Sequence, residues 1–301
     1  MSYNTETINV QFLNQSFLDK LDQGMIKEAG AAMSAFVRLK LREDGFTRKI
    51  LTPVQITASE LDRQLTEEPT IIVETEPDSV AANMPFLGRG EIRYFKGGRY
   101  PVSFQKIESA LFKKSKFELA SYRTDIRTIL QENSVKDIQA QEDTNFMANI
   151  ETILTVNGNT GTFSKTTYGG FVGALMAGIK QLLVRKLPVG SILMSQSTYA
   201  DLIAQPATTV GADIAGGLFG GTRSLDNFYG YKIITTNKND LVAPGVCYIF
   251  APQEYLGQFY SLQEPTVFLK TEADMIEFKT YEAVGSGIGN IYGVAKATIT
   301  A

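Results

Sequence analysis

Residues 122–158, YRTDIRTILQENSVKDIQAQEDTNFMANIETILTVNG, constrain the fold more than any other stretch of the chain. Ile126, Ile129, Leu130, Val135, Ile138, Phe146, Met147, Ile150, Ile153 and Leu154 recur at helical spacing, and the run stops at the turn signal Asn157-Gly158. Between Ile138 and Phe146 nearly everything is polar: Gln139, Gln141, Glu142, Asp143, Thr144 and Asn145. A helix of some thirty residues is roughly 45 Å long at 1.5 Å per residue. A compact enzyme rarely needs such a rod with so thin an apolar stripe. A strut inside a thin, extended subunit does.

The chain has 301 residues, enough for one large domain or two ordinary ones. Hydrophobic residues make up 44% and charged residues 20%, an ordinary globular balance. A net charge of −3 and a pI near 5.3 predict no bulk attraction to nucleic acid or to an anionic membrane, which leaves a local basic patch open. There is no histidine, which removes Ser-His-Asp and Cys-His triads and the commonest transition-metal ligand. Carboxylate-only hydrolysis and Mg²⁺ chemistry pass that filter, but no cofactor is expected. The single cysteine, Cys247, excludes an intrachain disulfide and reads as a small buried hydrophobe in the strand-like GVCYIFAP. The start, MSYNTETINVQFLNQSF, lacks the basic and apolar regions of a signal peptide. The most apolar stretch, Gly169 to Val184, is too short to span a membrane and carries Lys180. A soluble protein made in a cytoplasm is the expectation.

Asn14 to Asp44 has the pattern of an amphipathic helix, with Phe17, Leu18, Leu21, Met25, Ile26, Ala29, Met33, Phe36 and Val37 on one face, Ser16 as cap and Gly45 as stop. From Phe46 to about Glu118, FTRKILTPVQITASEL and TIIVETEP alternate like strands. EIRYFKGGRYPVSF (Glu91 to Phe104) predicts a hairpin: aromatic arms carrying Tyr94, Phe95, Tyr100 and Phe104 flank Lys96-Gly97-Gly98-Arg99, with Gly-Gly supplying the positive φ of a primed turn. An isolated ribbon is marginal in water, so it lies on its own domain or on another subunit. After the long helix, NGNTGTF reads as a turn cluster. Then come helix YGGFVGALMAGIKQLLVRK, strand GSILMSQ, helix STYADLIAQ capped by Ser197, loop VGADIAGGLFGGTRSLDNF, and strands GYKIITTNK and VCYIFAP. The remainder reads as strands LGQFYSL, PTVFLKTEA, DMIEFKTYEAVGSG and IYGVAKATIT. No internal repeat is visible.

GSGIGN (Gly285 to Asn290) lacks the helix that a dinucleotide fingerprint must open, since strands flank it on both sides. GGLFGGT lacks the Lys-Ser/Thr of a phosphate loop and reads as a surface loop. Glu67-Glu68 beside Pro69 reads as solvated. Glu142-Asp143 is expected to face outward or toward a neighbour and to form salt bridges rather than do acid–base chemistry. FKKSKF (Lys113, Lys114, Lys116), with Arg123 and Arg127 nearby, is the one local basic cluster; it would be a solvated face, an interface partner for acids, or a non-specific contact to phosphate.

This order of elements resembles the major capsid proteins of tailed bacteriophages, the Hong Kong 97-type fold. The carriers are FKGGRYPVSFQKIESALFKKSKFEL, DIQAQEDTNFMANI and the closing strands through NIYGVAKATI. The resemblance implies an α+β fold with an N-terminal arm (1–45), an extended loop with flanking strands (46–118), a spine helix and peripheral domain (119–165), an α/β axial domain (166–251), and return strands (252–301). By this likeness the assembly residues would be Tyr94, Lys96, Gly97, Gly98, Arg99 and Tyr100 at the extended loop, and Gly216, Gly217, Gly220 and Gly221 in an axial loop. Lys113, Lys114 and Lys116 would be a basic patch on the inner face. It implies homo-pentamers and homo-hexamers closing into an icosahedral shell around double-stranded DNA, assembled in the host bacterial cytoplasm. A separate scaffolding protein, a portal and a decoration protein would be its partners, with no membrane. An encapsulin-type nanocompartment shell shares the fold; a small carboxylate- or Mg²⁺-dependent enzyme is the alternative of another class.

Overall fold

The computed structural model describes residues 43–61, 69–76, 83, 86–88, 97–115, 126–204, 227–272 and 275–300. The described residues open with a helical turn α1 (Thr47–Ile50), then strands β1 (Pro53–Gln55), β2 (Thr70–Glu74), β3 (Arg99–Ser103), β4 (Gln105–Glu108) and β5 (Phe112–Ser115). The long helix α2 (Ile126–Asn157) leads to β6 (Thr160–Ser164), α3 (Phe171–Val184), β7 (Ser191–Ser195) and α4 (Gln196–Ile203). There follow β8 (Asn227–Phe228), β9 (Tyr231–Thr236), β10 (Val246–Phe250), α5 (Gln253–Leu256), β11 (Gln258–Glu272), β12 (Met275–Gly287) and β13 (Val294–Thr300). Two compact units divide the chain: Met1–Asp44, Ile107–Gln141 and Glu264–Glu282 form the smaller, and Gly45–Lys106, Glu142–Gln263 and Ala283–Ala301 the larger.

In the larger unit a six-stranded sheet runs in the order β6-β13-β10-β7-β9-β8. β7 pairs parallel with β9 (Leu193 opposite Ile234) and antiparallel with β10 (Ile192 opposite Ile249), and β10 pairs antiparallel with β13 (Cys247 opposite Ala297). SILMS is apolar in a continuous run because β7 is buried along its whole length. Helix α3 buries Phe171, Ala174, Leu175, Ile179 and Leu182, a stripe at spacings of three and four, against Cys247, Ile249, Ala295, Ala297 and Ile299 of the sheet. Gly178 permits that close approach, since a Cβ there would lie 2.6 Å from the Ala297 Cβ. The apolar stretch from Gly169 to Val184 is thus a core helix. Among the described residues no helix is long and apolar enough to cross a membrane.

In the smaller unit β5 pairs antiparallel with β12, Phe112 opposite Phe278 and Lys114 opposite Ile276. Ile276, Phe278, Thr280 and Glu282 are buried on one face of β12, the period-two pattern that the sequence carries. The Ser134 and Thr280 hydroxyls meet at 2.7 Å, joining the first half of α2 to that face.

Four expectations are corrected. Thr47–Ile50, read as strand, is a helical turn whose first amides are held by a carboxylate on α2. NGNTGTF is more than a turn: Thr160–Ser164 forms strand β6, because its backbone finds a parallel partner in β13. Helix α4 is capped by Ser195 rather than Ser197; Ser195 is extended, and its hydroxyl accepts from the Thr198 amide. LGQFYSL and PTVFLKTEA are one strand of 15 residues running through Pro265. The N-terminal helix pattern at 14–44 lies outside the described residues except at 43 and 44.

Candidate assembly elements

The polar middle of α2 is where the structure departs most from expectation. Glu142 and Asp143 are 2% and 0% exposed, so neither faces outward. Asp143 accepts from the backbone amides of Phe46 (3.1 Å) and Thr47 (2.9 Å), from Thr47 Oγ1 (2.7 Å) and from Lys238 Nζ (2.5 Å). Glu142 accepts from Arg48 Nε (3.0 Å) and Nη2 (2.7 Å), a two-pronged guanidinium contact. The salt-bridge reading of the pair holds; the exposed placement does not. Buried carboxylates need this full set of donors, because an unpaired buried charge costs several kcal/mol, roughly 3–5 when one partner is removed. On either side of the pair, Ile138, Phe146, Met147, Ile150 and Leu154 are buried. The thin apolar stripe is therefore continued by charge. Arg48 and Lys238, distant in sequence, carried no local signal of this function.

A third carboxylate on α2, Glu151, accepts from Tyr248 Oη (2.6 Å) and Lys296 Nζ (2.7 Å). Burial pushes the Glu151 carboxyl up, but the hydrogen bonds from Lys296 and Tyr248 outweigh it and hold the group below its ordinary value. Burial, with Glu151 as acceptor, raises the Tyr248 hydroxyl. Burial alone pushes the Cys247 thiol up to about 12, consistent with an inert core residue.

The predicted hairpin also differs. β3 pairs antiparallel with β2, with Arg99 opposite Glu74 and Val102 opposite Ile71, so its observed partner lies well upstream in sequence. Gly97 and Gly98 do not have positive φ and are not a primed turn among the described residues. They extend the ladder instead: the Thr75 amide and hydroxyl both donate to the Gly98 carbonyl, at 2.8 and 2.9 Å. Glycine is needed for closeness, because a Cβ on Gly98 would meet Thr75 Oγ1 at 2.8 Å. Arg99 reaches Glu74 at 2.7 Å across the exposed rim. Tyr100 turns inward, where ideal Cβ atoms on Gly287 and Gly289 would meet its side chain, at 3.5 Å from Cε2 and 2.6 Å from Oη. Burial raises its hydroxyl and that of Tyr260. Tyr94, Phe95 and Lys96 lie outside the described residues, as do Gly216, Gly217, Gly220, Gly221, Lys116, Arg123, Glu67 and Glu68.

Of the basic cluster, Lys113 and Lys114 sit on β5. Lys113 is ion-paired with Glu277 on β12, and that contact holds the Glu277 carboxyl below its ordinary value. Lys279 pairs with Glu108 in the same unit. GSGIGN joins β12 to a 3-10 turn (Ile291–Gly293) and β13, so no long helix opens on it. Among the described residues, no group of three or more His, Cys, Asp or Glu is placed to hold a metal.

This α+β arrangement is the Hong Kong 97-type fold of tailed-phage capsid subunits, and solved structures share it along almost the whole chain. The capsid structure of cyanophage P-SCSP1u matches with a TM-score of 0.61 at 13% identity, covering 89% of this chain and 91% of that one. A structure from Mycobacterium phage Adephagia matches at 0.58 and 13% identity, over 91% and 97%. The capsid of a native GTA particle, computed with C5 symmetry, matches at 0.56 and 15%, over 89% and 94%. At such identities the likeness is one of fold. No family model and no curated protein matches the sequence.

Proposed function

We propose that this chain is a major capsid protein, assembling through pentamers and hexamers into an icosahedral phage head around double-stranded DNA. The observation that carries the reading is reciprocal coverage: the chain and the capsid structures match over roughly nine-tenths of both. A shared small domain would cover only part of one. In this reading residues 1–45 are the arm, 46–118 the extended loop and its flanks, and 119–165 the spine and peripheral domain. Residues 166–251 are the axial domain and 252–301 the return strands. Function is then self-association: many weak lateral contacts closed by symmetry, with loops and arms adding avidity. A scaffolding protein, a portal and a decoration protein are the proposed partners, and the virion the proposed location. Lys113 and Lys114 would touch packaged DNA only non-specifically, and the Glu277 pairing of Lys113 lowers the charge it offers.

Negative-stain electron microscopy with light scattering on the purified protein tests this. Shells, tubes or flat rings of five and six subunits are expected, alone or with a scaffolding partner. A monomer or dimer that persists on concentration and with such partners would refute it.

A further inference from the structure

We propose that Glu142 and Asp143 form a polar latch that docks residues 45–51 on α2 and opens without unfolding the six-stranded sheet. Three of the four donors to Asp143 belong to the docked segment: the Phe46 and Thr47 amides and the Thr47 hydroxyl. The fourth, Lys238 Nζ, closes over the Phe46 ring at 5.6 Å from its centroid. Arg48 adds its contact to Glu142, the next residue on the helix. A further fastening is at Thr52, whose amide donates to Gln253 Oε1 and whose carbonyl accepts from Gln253 Nε2, just before β1 joins β11. Phe46 and Leu51 are buried along the segment, and Lys232 Nζ donates to the Lys49 carbonyl.

None of these contacts is a ladder bond of the six-stranded sheet, and neither Phe46 nor Leu51 belongs to the apolar cluster between α3 and that sheet. A buried ion cluster fixes geometry strongly while adding little net stability, and it fails as a whole when one partner is lost. A segment held in this way is a separate opening unit. The latch therefore fixes where residues 45–51 sit on α2. Asp143 and Glu142 are positioning residues for that segment, whether or not the chain builds a shell.

Hydrogen exchange on the full chain carrying Asp143→Asn is the test. Peptides across 43–52 are expected to exchange about 100-fold faster, while peptides holding 191–195 and 246–250 keep the parental rate. Lys238→Met, which leaves three donors on Asp143, is expected to give the same local pattern at about 10-fold, and it serves if Asp143→Asn does not fold. Unchanged exchange at 43–52, or a rise shared equally by the sheet strands, would overturn the latch.

Discussion

Helix α3 lays Phe171, Leu175, Ile179 and Leu182 against Ile192, Met194, Ile249, Ala297 and Ile299, closing the core of the six-stranded sheet from within. The β2–β3 ribbon is built otherwise. Val102 and Phe104 share their small cluster with Ile56 and Tyr260, while Ile71, Val73, Tyr100, Leu61 and Leu262 are only half-covered. A two-stranded ribbon is marginal by itself, so this one depends on the surface it lies on. The first region supports itself. The second leaves apolar side chains part-exposed; in the proposed shell a neighbouring subunit would finish their burial.

Substitutions that separate the two regions make the contrast quantitative. Leu175→Ala, in the closed core, should cost about 3 kcal/mol and lower the whole unfolding transition, read by urea denaturation followed with circular dichroism. Gly287→Val should cost less, roughly 1–3 kcal/mol, because its new Cβ would meet Val102 Cγ2 at 2.6 Å. That loss should fall on the ribbon: soluble subunits would persist, shells would not form in electron micrographs, and protease cleavage near residues 97–104 would accelerate. If the sheet melts with it, the two regions are one cooperative block.

Glu151→Gln probes the sheet's electrostatic attachment to α2. The Glu151 carboxyl lies below its ordinary value of 4.5 in the folded chain, so its contribution is full above that value and fades as pH falls through the depressed one. The stability gap between parent and variant should therefore be constant near neutrality and close in acid, as thermal melts at pH 7 and below pH 4 would register. Arg99→Ala is the smallest change. Its pair with Glu74 is 70% and 64% exposed, so less than about 0.5 kcal/mol is expected in the same melts, largely erased by salt.

What the sequence disclosed follows the same division. Helices α2 and α3 and strand β12 were legible because each carries its own period of apolar residues, and strands β7, β9 and β10 because apolar and β-branched residues run together in them. The pairing of β3 was not: Gly97-Gly98 is a strong local turn signal, while the Thr75 contact that uses those glycines is set by a partner some twenty residues away. The capping of α4 turned on which of two nearby serines had extended backbone. The latch was half legible. Glu142 sits four residues after Ile138 and four before Phe146, on the row that continues to Ile150 and Leu154, and so falls on the buried face. Its donor Arg48 is 94 positions away, and the Phe46 amide on Asp143 is 97 away, beyond any local pattern.

Hydrogen exchange on the same protein before and after assembly tests the central claim most directly. Residues 191–195 and 246–250 should be protected in both states, whereas 70–75 and 98–103 should gain protection only in assembled particles. Ribbon amides already as protected in isolated subunits as those of the sheet, and unchanged on assembly, would contradict it.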